Sequence, residues 1–384
     1  MLEKLLHRLE KVHRAQTREE LEAIYRFRYT IYAEELGREI GGVDHENRMV
    51  RDAEDDKDYS IHLYVGTLDE IMGVLRIRFW KRGAIPDYEM KALSLHLFPD
   101  INKLAVAEMG RLMVKRTMRG FFILPSLALE TYQILVGEKN VDFVFLYCRP
   151  GLVRHYRRLG ARPYVGNLVT APEGMEVPMV VVPFDEKYFR KIGSPLRPLV
   201  KKYYGPGKRI PIDLDKYQHL FDDDLLPVEF EAEKVWEQFE QEFIQEQGKA
   251  TALSFLNTLP RKHLKKLTDK GFLMQVAAGA LITREEHVEK EMFIILDGIF
   301  EVFMRERRVG ILEKGDLFGE VAFFRASGKR SATVKALTSG RLLVLRRKFL
   351  KEMAKRDPDT AFNILYNLGS MLSERFVAIR SLIA

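Results

Sequence analysis

The stretch GDLFGEVAFF (315–324), followed after a short loop by RSATV (330–334), decides the fold of the C-terminal part of the chain. Gly319 lets backbone come close to an anion. The residues after it, Val321 and Ala322, can open a short helix whose first N–H groups face a phosphate. Glu320 can accept a charge-assisted hydrogen bond from a hydroxyl. Arg330 offers a planar fork to phosphate oxygens. Phe318 precedes the glycine, and Ser331 and Ala332 follow the arginine, where the serine hydroxyl can reach phosphate or a ring edge.

On either side, VAAGALI (276–282), EMFIILDGIFEVFM (291–304), RVGILEKGDLFGE (308–320) and ATVKALTSGRLLVLRRKFL (332–350) alternate apolar residues between Gly and Asp turns. That pattern suits a small jelly-roll barrel. Together these segments resemble the cyclic-nucleotide-binding domains, and the resemblance covers 251–384. It implies cAMP or cGMP as a regulatory ligand held by Phe318, Gly319, Glu320, Val321, Ala322, Arg330, Ser331 and Ala332. Ser331 leaves the choice of nucleotide open. Lys329 stands where such cassettes commonly carry proline. Only helical sequence follows Leu350, so a DNA-binding winged helix is not expected. A last helix around 367–382 is the natural lid, with Arg375 and Phe376 as candidates to cap the base.

The chain has 384 residues, 62 basic and 55 acidic, with a net charge of +7. That length predicts two domains, and the mild charge excess does not demand nucleic acid. Hydrophobic residues make up 46% and charged ones 30%, a soluble globular balance. The lone Cys148 leaves no intrachain disulfide and no multi-cysteine zinc site. A reduced, cytoplasmic protein without a bound metal is expected. Charges interrupt the N-terminal 29 residues, so neither a signal peptide nor a membrane span is expected.

In the first half, apolar residues recur at helical spacing from Ile24 and stop at Gly37. Strands are predicted over 60–65, 71–79, 105–114 and 141–147, and helices over 124–136 and 152–159, with a basic turn at 115–120 before the first of these. This is a mixed α/β plan. A connector rich in Pro, Gly and basic residues spans 185–210 and can bind an acidic partner such as acyl carrier protein. The expected organisation is an α+β chain. It has an N-terminal domain over 1–205, a charged helical linker over 206–250, and the jelly-roll domain with flanking helices over 251–384. Val235, Trp236, Phe239 and Phe243 share one face of a linker helix. Helices offer a route to a homodimer.

Strand, basic glycine turn, helix, strand and HYRRLGARPY (155–164) resemble a GNAT-type acyltransferase. The order YRFRYTIYAEELGR (25–38), DDKDYSIHLYV (55–65), MGVLRIRF (72–79) and EMGRLMV (108–114) resembles, more narrowly, the N-acyl amino acid synthases and the acyl-homoserine-lactone synthases. The resemblance implies an acyl group passed from acyl-CoA or an acyl carrier protein thioester to a small-molecule amine. It places Met113, Val114, Arg116, Arg119 and Gly120 at the acyl-carrier turn, although Phe122 replaces that turn's second small residue. It places Arg28, Asp55, Asp58 and Arg76 with the acceptor, alongside Glu108 and Arg111. Glu108 is the candidate base for the amine, and Tyr156 the candidate acid for the leaving thiolate. Arg28 or Arg111 can equally hold Glu108 in an ion pair. His62 reads as a packed residue, and Cys148 has no paired histidine to activate it. Two other readings stay open: a protein lysine acetyltransferase under nucleotide control, and a non-catalytic nucleotide sensor on a degenerate acyltransferase scaffold.

Overall fold

A computed structural model describes residues 10–38, 40–115, 120–164, 169–171, 174–205, 212–221, 228–229, 232–241, 259–269 and 271–383. The chain divides into two compact units, 1–166 with 176–226 and 167–175 with 227–384. The segment expected as a separate linker, 206–250, is thus shared between them. Tyr217 and Leu220 are buried in a core of the first unit. Val235, Trp236 and Phe239 are buried in the core of the second. Apolar side chains at those positions gain more from burial, about 1.5–3 kcal/mol each, than a solvated connector offers. Phe243 lies outside the described residues.

In the first unit, strand β1 (Val12–Arg14) leads to helix α1 (Arg18–Tyr29). A capping box starts α1: Thr17 Oγ1 accepts from Glu20 N–H at 3.2 Å, and Glu20 Oε2 accepts from Thr17 N–H at 2.9 Å. The helix continues in wider turns to Glu35, and Gly37, at φ 60°, ends it as its sequence position predicts. Next come β2 (Ser60–Gly66), β3 (Ile71–Trp80), the short helix α2 (Asp87–Ala92) and β4 (Val106–Val114). Helix α3 (Gly120–Tyr132), β5 (Phe143–Cys148), α4 (Val153–Arg158), β6 (Ala161–Pro163) and β7 (Gly174–Val181) follow.

The sheet runs β1-β2-β3-β4-β5-β7-β6. Only β4 and β5 are parallel among these pairs. Helices cover both faces, which is why β2 and β3 are nearly continuous apolar runs. A Cβ on Gly73 would strike Ile123 of α3, so α3 packs close on its face. Alternation along β3 sends Leu75 and Ile77 to the α3 face, and Arg76 and Arg78 to the other.

The second unit is a β-sandwich of two antiparallel sheets. One contains β8 (Val228–Glu229), β9 (Phe272–Val276), β11 (Glu291–Asp297), β14 (Leu317–Phe318) and β16 (Gly340–Arg346), in the order β8-β9-β16-β11-β14. The other contains β10 (Leu281–Thr283), β12 (Phe300–Met304), β13 (Arg307–Leu312) and β15 (Thr333–Ala336), in the order β10-β15-β12-β13. Helices α5 (Ala232–Phe239), α6 (Arg261–Thr268), α8 (Arg347–Arg356) and α9 (Pro358–Ile383) bury Trp236, Leu264, Met353 and Ile364 in one core. The lid helix expected over 367–382 starts nine residues earlier, at Pro358, because Ile364 and Leu368 continue its buried stripe.

Candidate functional site

The second unit carries a pocket of about 180 Å³. Phe318, Gly319, Glu320, Ala322, Arg330, Ser331 and Ala332 all line it, and Val321, on the same short helix α7 (Glu320–Phe324), faces outward. Gly319 has φ 83°, and a Cβ there would collide with Arg330 Nη1. Glycine is therefore required twice, for backbone and for space. Arg330 is 2% exposed. Its Nη1 donates to the Glu291 carbonyl at 2.7 Å and the Gly319 carbonyl at 3.2 Å, and its Nε donates to Glu289 Oε2 at 3.1 Å. Among the described residues Arg330 Nη2 makes no hydrogen bond, though Glu289 Oε2 lies 3.1 Å away. A buried guanidinium donor in that condition fits an anion.

Burial pushes the Glu320 carboxyl up, against the pull of its own backbone N–H and of Arg375 and Arg330. Arg375, from α9, lines the pocket, donates to the Leu317 carbonyl at 2.9 Å and stands 3.8 Å from Glu320 Oε1. Phe376 does not join it: it is 68% exposed, one helical step off the inward face. Glu289 and Thr283 belong to the site and were not singled out by sequence reading; Glu289 is legible only through its contact with Arg330 across 41 residues.

In the first unit a buried ionic network covers the face of the sheet opposite α3. Arg28 Nη1 donates to both Asp55 oxygens, and Arg76 Nη1 donates to Asp55 Oδ1 at 2.8 Å and Asp52 Oδ1 at 2.6 Å. Arg111 Nη2 donates to Asp52 Oδ2 at 2.7 Å. His62 is packed and buried, with Nδ1 3.2 Å from Arg28 Nη2 and Nε2 3.0 Å from the Asp55 carbonyl. Burial opposes the ionisation of Asp52 and Asp55, but the arginines outweigh it and hold both carboxyls below the usual range. Asp52 joins Asp55 in the network, while Asp58 is exposed and stands outside it among the described residues. The three follow one another at three-residue spacing in one loop, and the arginines from α1, β3 and β4 decide which two turn inward.

Glu108 pairs with neither Arg28 nor Arg111. Its Oε2 accepts from Arg78 Nε at 2.9 Å, because Arg78 and Glu108 are directly opposite in the β3–β4 register. Arg78 Nη1 also meets Glu89 of α2 and, at 3.5 Å, Glu54. Sequence reading missed Arg78, Glu54 and Glu89. The first two carry a signal, since Arg76 and Arg78, like Asp52 and Glu54, alternate with period two.

Pairing of β4 with β5 ends at Met109 and Leu146, while β5 continues against β7 to Cys148. The strands part there, and the remaining β4 backbone from Gly110 has no β5 partner. Arg111, at φ 53°, sits in the bulge where the β3–β4 register shifts. Met113 is buried in a core with Ile24 and Val74, and Val114 is partly exposed. Gly120 opens α3, and Arg116 and Arg119 lie outside the described residues. On the α3 face, Leu75, Met109, Ala128, Tyr132, Leu146 and Tyr156 help line a narrow apolar slot of about 50 Å³. Burial pushes the Tyr156 phenol well up, with Cys148 and Glu176 adding to it, so it stays a proton donor at neutral pH. Cys148 is buried and pushed up likewise.

Residues 23–184 match the family described as N-acyl amino acid synthase FeeM, and residues 273–357 match the cyclic nucleotide-binding domain. A region similar to the FeeM synthases is thus followed in the same chain by a region that matches the cyclic nucleotide-binding domain. Similar curated proteins include the Pycsar effector protein BcPycTIR of Burkholderia cepacia, 28% identical over 110 residues, which are 29% of this chain and 36% of that protein. The cAMP-activated global transcriptional regulator Vfr of Pseudomonas aeruginosa is 28% identical over 131 residues, 32% of this chain and 59% of Vfr. The chain thus spans about a third of the length of the Pycsar relative. Among solved structures, a cyclic nucleotide-binding domain from Methylobacillus flagellatus is 17% identical, with a TM-score of 0.34, over 41% of this chain and 88% of that one. Among the described residues of the two domains, no helix is long and apolar enough to cross a membrane.

Proposed function

We propose that the synthase domain is a GNAT-like N-acyltransferase that moves an acyl group from acyl-CoA or an acyl carrier protein thioester to an amino-acid-like amine, under control of cAMP or cGMP bound to the C-terminal domain. One observation carries this reading: the charged face of the sheet is bipolar. Arg28, Arg76 and Arg111 outnumber Asp52 and Asp55 at one end. Glu54, Glu89 and Glu108 outnumber Arg78 at the other. A zwitterion, with a carboxylate and an ammonium a few ångströms apart, complements such a surface.

The apolar slot lies on the opposite face, and the parting of β4 from β5 is the passage between the two. An acyl chain in the slot brings its thioester carbonyl to the passage. The amine loses a proton to Glu108, directly or through water, and attacks the carbonyl. The C–N bond forms, the C–S bond breaks, and Tyr156 returns a proton to the departing thiolate. The β4 backbone edge that turns away from β3 beyond Met109 can hold the donor arm. Among the named residues, Arg330, Glu320 and the start of α7 suit the cyclic phosphate and ribose of a nucleotide.

The test is mass spectrometry of products from the purified chain, supplied with acyl-CoA or acyl carrier protein thioesters and a panel of amino acids, with and without cAMP or cGMP. An N-acyl amino acid formed at a nucleotide-dependent rate is the expected result. Acylation of protein lysines alone would overturn the small-molecule acceptor.

A further inference from the structure

The pair of buried carboxylates on Arg78 is more than a structural ion pair needs. Glu89 and Glu108 are 4% and 5% exposed. Arg78 Nε serves Glu108 and Arg78 Nη1 serves Glu89, so one positive charge is divided between two acids. Glu54 reaches the same guanidinium from the rim, and its Oε2 also accepts from the Tyr59 hydroxyl at 2.8 Å. One buried carboxylate would neutralise Arg78. A second adds desolvated negative charge, which costs stability without pairing anything further.

We propose that Glu89 is a positioning residue for acyl transfer: by sharing Arg78 with Glu108 it keeps the Glu108 carboxylate from being fully neutralised and so able to take the amine's proton. This rests on the acyl-transfer reading above. A base locked in a one-to-one pair with arginine is a weak base, and a neighbouring carboxylate reverses that effect. The groups facing the pair are Arg78 on β3, Glu54 and Tyr59 on the loop before β2, Tyr88 on α2 and Tyr147 on β5. Burial raises the Glu89 carboxyl, and Glu108 and Glu54 add to the rise against Arg78. Glu89 and Glu108 thus compete for one guanidinium, and Glu89 is the acid raised above the ordinary carboxylate range.

The experiment compares kcat/KM against pH for the full chain and for Glu89→Gln and Glu89→Asp. In Glu89→Gln the acid limb should move down, as the second carboxylate on Arg78 is lost and Glu108 holds the guanidinium alone. The plateau should fall about tenfold, since a weaker base transfers the proton less well. Glu89→Asp should keep the limb near its original position. A slower Glu89→Gln enzyme with an unmoved limb overturns the proposal and leaves Glu89 a structural residue. Infrared titration of the protonated-carboxyl band tests the same coupling without turnover and without depending on how Glu89→Gln folds. The wild-type chain should show a Glu89 band with a midpoint above about 4.3, the ordinary glutamate value, and Glu108→Gln should lower that midpoint. A midpoint at the ordinary value overturns the proposal. Failure of the wild-type chain to acylate any amine would instead strike the acyl-transfer reading, and the infrared result would still decide the coupling.

Discussion

Arg28 Nη1 lies 2.9 and 2.8 Å from the two oxygens of Asp55, a pair closed across 27 residues with both side chains buried. Asp55 also holds Arg76, so its removal leaves two buried guanidinium groups short of countercharge. Asp55→Asn should destabilise the first unit by about 3–5 kcal/mol. Urea unfolding followed by a probe in that unit measures this. A loss under about 1 kcal/mol would show that water reaches the network.

The same network fixes how stability depends on pH. The carboxyls of Asp52 and Asp55 are held low in the folded chain, so their contribution is complete above the unfolded value of about 3.9. It fades as pH falls through their lower folded values. The gap in melting temperature between the wild-type chain and Asp55→Asn should therefore be widest near neutrality and shrink on acidification below about pH 4. A gap that stays constant to pH 3 would rule this out.

In the nucleotide pocket, Gly319→Ala places a methyl group against the Arg330 guanidinium and an L side chain at positive φ. Both effects oppose the cassette, so calorimetry with cAMP and cGMP should show weakened binding. Arg330→Ala should weaken it by about 2–5 kcal/mol, the range for truncating one side of a buried charge pair. Equal affinities in wild type and Arg330→Ala would place the phosphate elsewhere.

Ala128 lines the apolar slot from α3. Ala128→Phe should shorten the acyl chains accepted while leaving the amine preference unchanged, read from product masses with donors of graded length. An unaltered chain-length profile would separate the slot from the acyl group.

Regulation requires a free-energy difference, not proximity. Nucleotide and acyl donor should change each other's affinity by one common factor, about 5–150-fold. Titrating nucleotide with and without a non-hydrolysable donor analogue measures it, and identical dissociation constants would make the domains energetically independent.

How far the sequence carries depends on what decides each feature. The cassette residues Gly319, Glu320 and Arg330 are legible because local backbone geometry and a fixed spacing demand them. The strands are legible from their apolar runs. The choice of Asp52 over Asp58 is not, because the loop repeats acids at equal spacing and a distant arginine selects among them. Glu89 is hidden for a similar reason: it lies on a six-residue helix whose inward side is set by β3. The shared Arg78 appears only when the strands are brought into register.

Arg111 holds a left-handed backbone conformation that costs an L residue about 1–2 kcal/mol. Its side chain recovers a bond to Asp52 and a place over the Tyr32 ring, 5.6 Å from the centroid. Selection for folding alone would install glycine here, which relaxes the backbone without needing the network. The position therefore separates two histories. A chain that keeps the chemistry should hold arginine here against its backbone cost, and one that keeps only the scaffold should be free to lose it.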